Sequence, residues 1–337
     1  MKVKYDILKN TIKLALLKNC VSEEDAEIMA KVHADSTLIG VNSHGLNRIP
    51  RLINFINDGL ININGKLKLI KKFGAIENYD ANLGFGVINS IKASKRAAEL
   101  AIENGIGMVS VKNSTHWMRA GTYGELIAER GMIALCFTNT ESLMPLWGSD
   151  EKSIGNNPMC IAIPSKSGNI ILDMAISQYS YGKLDSSKIK NEYLPYPGGF
   201  DSEGNLTNDP NKIIESQRLL PIGYWKGSGL SLCLDAMASL LSTGKSTYDM
   251  DEDKAFNCTG CSQIFIAMNP EVFSTEQENE KVIEKIKQKV HSVRTLEENS
   301  SVRFPGEGSI KRKDKNLKEG IEVDDFYYEK VKSFINV

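Results

Sequence analysis

The chain has 337 residues, enough for a sizeable core and for two domains, and its 25% charged and 41% hydrophobic residues are the balance of a soluble globular protein. Lysine plus arginine is 41 and aspartate plus glutamate 42, a net charge of −1, which gives no electrostatic reason for nucleic acid or an anionic membrane as partner. No apolar run approaches a membrane span, and the amphipathic start at Met1–Leu8 lacks the features of a signal peptide, so a cytoplasmic location is expected.

The first forty residues predict two helices, the second opened by the capping signature Ser22-Glu-Glu-Asp25 and lined by Ala26, Met29, Ala30, His33 and Thr37. That spacing makes His33 a packed histidine rather than a ligand. Ser43-His44-Gly45 follows as a polar loop, and Ile49, Leu52, Ile53 and Ile56 mark a third helix with Pro50 in its first turn. A helix through Val87, Ile91, Ala98 and Ile102 stops at Asn104-Gly105. Met108–Val111 and Met132–Thr138 read as strands with a helix at Thr122–Arg130 between them. Met159–Ile163 and Ile170–Met174 are short apolar strands joined by Ser165-Lys-Ser-Gly168, a hairpin pattern that a doubly wound parallel sheet does not contain. Residues 183–220 are polar and rich in Gly, Pro, Asn and Asp, and read as a long loop. Leu230, Cys233, Leu234, Met237 and Leu241 form an apolar helix closed by Gly244, Gln263–Met268 is a strand, and Val282, Ile286, Val290 and Val293 line a last helix with His291 on its solvated side. The sum is a mixed α/β protein with a partly antiparallel sheet.

Four histidines limit the acid–base chemistry available, and two of them sit in unusual polar segments. His44 precedes Arg48 by about one helical turn, which pairs a proton donor with a carboxylate anchor. His116 lies in Asn113-Ser-Thr-His116-Trp117-Met118-Arg119. Asp173 ends an apolar strand and reads either as a turn residue or as a carboxylate holding an imidazole in one tautomer. Asn139, Asn156 and Asn157 flank strand ends. Gly223-Tyr-Trp225-Lys226-Gly227-Ser-Gly229 opens a helix and reads equally as a phosphate-cradling segment or an ordinary glycine-rich loop. Gly84-Phe-Gly86-Val-Ile-Asn89 lacks the third glycine of a dinucleotide fingerprint, and Gly244-Lys245-Ser246 lacks the first glycine of a P-loop. No Gly-x-Ser-x-Gly elbow occurs. Of six cysteines only Cys258 and Cys261 have metal-ligand spacing, without a second pair to complete a site, so no metal is expected.

Taken together, Ser43-His44-Gly45 with Arg48, Asn113–Arg119 with Gly121-Thr-Tyr-Gly124, Gly155-Asn-Asn-Pro158, Ile171-Leu-Asp173-Met-Ala175, Trp225-Lys-Gly-Ser-Gly229 and Phe304-Pro-Gly-Glu307 resemble the type 2 malate/L-lactate dehydrogenase family over about residues 3–335. His116-Trp-Met-Arg119, Met144-Pro-Leu-Trp-Gly148, Tyr179-Ser-Tyr-Gly182, Gly198–Thr207 and Leu220–Lys226 narrow the likeness to its reductases of diketo sugar acids. Asn156 departs from the threonine frequent there, which leaves the local contact open.

The resemblance implies an NAD(P)-dependent oxidoreductase that reduces the keto group of a 2-oxo acid. It implies a non-Rossmann α/β fold with a largely antiparallel mixed sheet flanked by helices, a helical substrate and dimerisation domain (1–118 and 300–337), a cofactor domain (119–299), and a homodimer with its site near the subunit contact. His44 maps onto the family's proton donor. Ile170, Ile171, Leu172, Asp173, Met174, Ala175, Trp225, Lys226, Pro305, Gly306 and Glu307 map onto contacts to NADH, with NADPH the alternative. In the mechanism this suggests, Ser43, Arg48 and His116 hold the substrate, Arg48 clamping its carboxylate, and Asp173 orients His44. The rival readings are a malate, lactate, ureidoglycolate or cyclic-imine-acid oxidoreductase, and a nucleotide-binding protein without turnover.

Overall fold

The computed structural model describes residues 1–253, 259–297 and 300–335. After a two-residue strand, β1 (Lys2–Val3), helices α1 (Tyr5–Lys18) and α2 (Glu23–Leu38) pack on each other through Leu8, Ile12, Ala15 and Leu16 on one side and Ala26, Met29 and Ala30 on the other. The Ser22 side chain accepts from the Asp25 amide, capping α2 as the sequence predicts. Two 3-10 turns, Asn42–His44 and Leu46–Arg48, lead into α3 (Ile49–Asn57), with Pro50 in the first turn where its missing N–H costs nothing.

The hairpin β2 (Lys68–Phe73) and β3 (Ile76–Asp80) precedes α4 (Gly86–Asn104), which ends at Gly105 with φ 79°, a conformation that favours glycine. Next come β4 (Ile106–Ser114), α5 (Ala120–Ala128), β5 (Ile133–Thr138), the short pair β6 (Met144–Pro145) and β7 (Lys152–Ile154), and then β8 (Met159–Ile163) and β9 (Ile170–Met174). β8 and β9 are the antiparallel hairpin expected from their spacing.

Residues 183–220 correct the long-loop expectation. They carry most of α6 (Tyr181–Ile189), the β10 (Gly199–Phe200) and β11 (Leu206–Thr207) hairpin, and α7 (Pro210–Ser216). Leu184, Leu194, Ile213 and Leu219 are buried, so the polar composition hides a small apolar side. Asp209 caps α7 and Pro210 occupies its first turn.

Helix α8 (Trp225–Ser242) is the next correction. Of its predicted apolar line only Leu234 is buried; the helix turns Gly227, Ser228, Ser231, Leu234, Asp235 and Ala238 inward, leaving Leu232, Met237 and Leu240 exposed. Small residues there let the helix lie close to the sheet. The remaining elements are α9 (Thr247–Glu252), β12 (Cys261–Met268), α10 (Glu276–His291), α11 (Glu307–Glu319), β13 (Ile321–Glu322), which pairs with β1, and α12 (Asp325–Ser333). On α10 the expected apolar stripe is also not the buried face: Val282 and Ile286 are exposed while Lys287 is buried. Cys258 lies outside the described residues, and among those residues no cluster of His, Cys, Asp or Glu is arranged for a metal.

Seven strands form one sheet in the order β2-β3-β4-β12-β5-β8-β9, antiparallel throughout except at β3 and β4. Three of its strands precede residue 119, so the sheet does not coincide with the 119–299 division. Its two faces are both covered, which is why Ile264–Met268 of β12 is a continuous apolar run. Phe265 packs with Trp117 and Tyr123 on the α4 and α5 side, and its neighbour Ile264 packs with Leu234 and Ala238 of α8 on the other. A third core joins α1, α2, α3 and α12. No helix among the described residues is long and apolar enough to cross a membrane.

Candidate active site

A cleft of about 650 Å³ opens among the 3-10 turns at Ser43–Arg48, the segment 116–120, the strand ends at Thr140, Asn156, Pro158 and Asp173–Ala175, and the first turn of α6. The turn bearing His44 is anchored from below by α2. Thr37 Oγ1 donates to the His33 carbonyl and accepts from the Leu46 amide, and His33 Nδ1 meets the Gly45 carbonyl at 3.2 Å. A Cβ on Gly45 would stand 2.2 Å from Thr37 Oγ1, so this position of the Ser-His-Gly segment has no room for a side chain. His33 is thus the packed residue its helical spacing predicts.

His44 and His116 stack with ring centroids 5.6 Å apart and planes at 30°. Ser43 Oγ lies 3.1 Å from His44 Nδ1. The Met118 amide donates to His116 Nδ1 at 2.9 Å, which puts the proton of a neutral His116 on Nε2. That contact is made by a backbone turn in which Met118 adopts φ 68°, strain of the kind that collects at functional sites. Burial, and then the charge of Arg48, hold His44 down to about 3 and His116 well below the ordinary imidazole range. Both rings are neutral at neutral pH in the free protein.

Asp173 corrects one expectation: its bonds go to Arg119 and Gly121, not to His44. Arg119 Nε lies 3.1 Å from Oδ2, and the Gly121 amide donates to the same oxygen at 2.9 Å. Burial raises the Asp173 carboxyl, against the pull of Arg119 and of that amide. A Cβ on Gly121 would sit 2.7 Å from Oδ2, so glycine lets α5 begin against the strand end. The pair ties α5 to β9 at the wall of the cleft.

The other sequence-predicted residues divide. Ser43, His44, Arg48, His116, Asp173, Met174 and Ala175 line the cleft together. Ile170, Ile171 and Leu172 lie back along β9, where the Ile171 amide donates to the Pro305 carbonyl at 2.9 Å and Gly306, φ 95°, lies beside Ile171. Glu307 opens α11 and is held down to about 2 by Lys311 and His291. His291 therefore has a carboxylate partner rather than only solvent. Trp225 and Lys226 open α8, Trp225 is 63% exposed, and neither lines the cleft. The sequence reading did not assign Arg51, Arg119, Glu141, Ser180, Tyr181 and Gly182 to the cleft. Arg51 had a signal, since it follows Arg48 at helical spacing; Arg119 and Tyr179-Ser-Tyr-Gly182 stand among the motifs of the resemblance, which gives them no role. Arg48, Arg51, Arg119 and Lys152 outnumber Glu141 and Asp173 around the cavity, so the site suits an anion even with Arg119 paired to Asp173.

A cleft with imidazoles, guanidinium groups and a non-Rossmann antiparallel sheet defines the class: the chain belongs to the malate/L-lactate dehydrogenase family, whose sequence profile matches residues 3–332. It is 40% identical over 333 residues to the 2,3-diketo-L-gulonate reductases of Citrobacter koseri and Escherichia coli, across 99% of this chain and 100% of theirs. Malate dehydrogenase from Entamoeba histolytica superposes with a TM-score of 0.94 at 28% identity, over 100% of this chain and 98% of that one. Sulfolactate dehydrogenase from Methanocaldococcus jannaschii does so at 0.88 and 32%, over 100% and 97%. The protein is an oxidoreductase of the nicotinamide-dependent kind.

The residues present fit such a group. The cavity lies in the usual range for a bound small molecule, and Met118, Leu143, Pro158 and Met174 offer apolar faces to a planar ring beside the two imidazoles. Thr140 and Asn156 add a hydroxyl and an amide.

Proposed function

We propose that the protein reduces 2,3-diketo-L-gulonate to 3-dehydro-L-gulonate, with His44 as proton donor and NADH as reductant. The observation that carries the reading is the stacked His44–His116 pair beside Arg48 in a cleft of a chain 40% identical, end to end, to diketogulonate reductases.

When bound, the reduced nicotinamide supplies hydride to the substrate's keto carbon. The chain's own residues do the rest. Arg48 takes the substrate carboxylate through paired N–H donors and so fixes the neighbouring carbonyl. His44 gives a proton to the oxygen as it becomes an alkoxide. His116, with its proton on Nε2, donates a hydrogen bond to a hydroxyl or second oxo group. The segments 170–175, 225–226 and 305–307 hold the cofactor. The exposed Leu232, Met237 and Leu240 on α8 support association into a homodimer, and the net charge of −1 supports an enzyme without nucleic acid or anionic membrane partners.

His44→Ala is expected to lower turnover by roughly 10²–10⁴-fold while nicotinamide affinity stays within about a factor of two. Initial rates with NADH and NADPH against diketogulonate, oxaloacetate and pyruvate test the substrate. A clear preference for either short acid contradicts the proposal.

A further inference from the structure

The motif Tyr179-Ser-Tyr-Gly182 has no part in the mechanism above, yet it meets the His44 turn directly. Ser180 caps α6 by accepting from the Lys183 amide, which sets the first turn of that helix on the rim of the cleft. There Gly182 faces Ser43. A Cβ at 182 would lie 2.4 Å from Ser43 Cβ and 2.9 Å from Ser43 Oγ, closer than real carbon contacts come. Ser43 Oγ in turn is 3.1 Å from His44 Nδ1.

We propose that Gly182 is a positioning residue: the absence of a side chain there seats α6 against Ser43 and holds Ser43 Oγ on His44 Nδ1, so that Nε2 faces the substrate. In the neutral ring the hydroxyl donates to Nδ1; in the imidazolium Nδ1–H donates to Oγ, and the Nε2 proton is the one transferred, leaving the neutral ring with its remaining proton on Nδ1. The inference rests on the reading of His44 as proton donor. Two physical points carry it. A neutral imidazole has two tautomers, and a hydroxyl donated to Nδ1 selects the one protonated at Nε2. A serine hydroxyl reaches that nitrogen from only some rotamers, so whatever packs against its Cβ decides whether the bond forms.

Which partner yields to an added side chain follows from burial. Helix α6 is pinned by Leu184 and Ser187, both buried in the 176–220 region, whereas none of Asn42, Ser43 and His44 is buried by the packing around their turn. The softer element is the Ser43 turn. A methyl group at 182 therefore displaces Ser43 rather than α6, and the hydroxyl leaves Nδ1.

The test combines steady-state kinetics with ¹⁵N NMR of the histidine side chains, the His44 resonances being assigned from their loss in His44→Ala. Gly182→Ala is expected to lower kcat about 10-fold or more with KM nearly unchanged, as misplacement of a reacting group does, and to turn an Nε2–H spectrum into a tautomer mixture. Ser43→Ala alone is expected to give the same mixture. In a Ser43→Gly background, which has neither the Cβ nor the hydroxyl to displace, adding Gly182→Ala is expected to change kcat less than about two-fold, because coupled residues are non-additive. An Nε2–H spectrum and full kcat retained in Gly182→Ala would overturn the proposal. So would a kcat loss of equal size in both backgrounds, or a Ser43→Ala protein that keeps the single tautomer. Full turnover in His44→Ala would instead remove the donor reading itself.

Discussion

Arg48 acts on His44 in two opposed ways, depending on what the cleft holds. In the free protein its charge adds to burial in driving the imidazole down to about 3. A substrate carboxylate paired with Arg48 cancels that charge, so the ring becomes easier to protonate as the anion binds. Binding therefore takes up protons, and by linkage the affinity for a 2-oxo acid anion rises as pH falls through the region where His44 in the complex titrates. Calorimetry of a non-reacting 2-oxo acid analogue in two buffers of different ionisation heat measures this directly. Net uptake in the native protein that disappears in His44→Ala is expected; equal proton uptake in both would place the titrating group elsewhere. At this scale the sequence was a good guide where a residue's role depends on its neighbours in the chain: Ser43, His44, Arg48 and His116 all reach the cleft. It failed for Asp173, whose partner Arg119 lies 54 positions away by number (173 − 119) and meets it only because α5 begins on β9.

Helix α6 shows why an element can be invisible in the sequence and still shape the site. Its flanks are polar and rich in breakers, and a few scattered residues, Ile176, Leu184, Leu194, Ile213, Leu219 and Leu220, give the 176–220 region its core. Removing one of those anchors should loosen the cleft rim. Leu184→Ala is expected to cost about 2–5 kcal/mol, read as a shift of the urea midpoint, since Leu184 is fully buried. A loss below about 0.5 kcal/mol would mean that the region carries no packing of its own. The β8–β9 hairpin is braced differently. Lys287 on α10 donates to Ser165 Oγ and Ser167 Oγ at 2.6 Å each and to the Gly168 carbonyl at 2.8 Å, with its ammonium 5.1 Å from the centre of the Phe304 ring. Lys287→Met is expected to cost about 1–3 kcal/mol, because the serine hydroxyls and the carbonyl lose a charged donor. Periodicity located α10 but pointed its apolar stripe inward; the clamp on the hairpin turn outweighs that preference, and a lysine is buried in place of Val282 and Ile286. On α8 the same reading misled because close approach to the sheet selects small residues over large apolar ones.

For the whole molecule, the sheet order and its single parallel pair follow from connections that were partly legible. The β8–β9 hairpin is short and local, while the placement of β12 between β4 and β5 joins residues more than a hundred positions apart, which no local pattern encodes. Three histidines packed at or beneath the cleft also give the fold a common acid weakness, His33 fully buried and His44 and His116 partly so. His33 is held to about 4, His44 to about 3 and His116 well below the ordinary value of 6.5, in each case by burial first. Below that ordinary value the unfolded chain binds protons that the folded chain excludes, so stability is intact above it and is lost as pH falls towards the folded values. Near pH 5 the fully buried His33, held to about 4, alone costs about 2 kcal/mol, from the value of one pKa unit. Urea unfolding at neutral pH and near pH 5 should show the loss, and His33→Gln should reduce it. An unchanged midpoint would contradict the neutral state of these rings in the folded chain. The central claim, a diketo sugar acid reduced at the His44–Arg48 cleft, is tested most directly by kcat/KM for NADH oxidation with 2,3-diketo-L-gulonate beside pyruvate and oxaloacetate. The account predicts the highest value for diketogulonate and its collapse in His44→Ala; a higher value for either short acid, or turnover that survives the loss of His44, would contradict it.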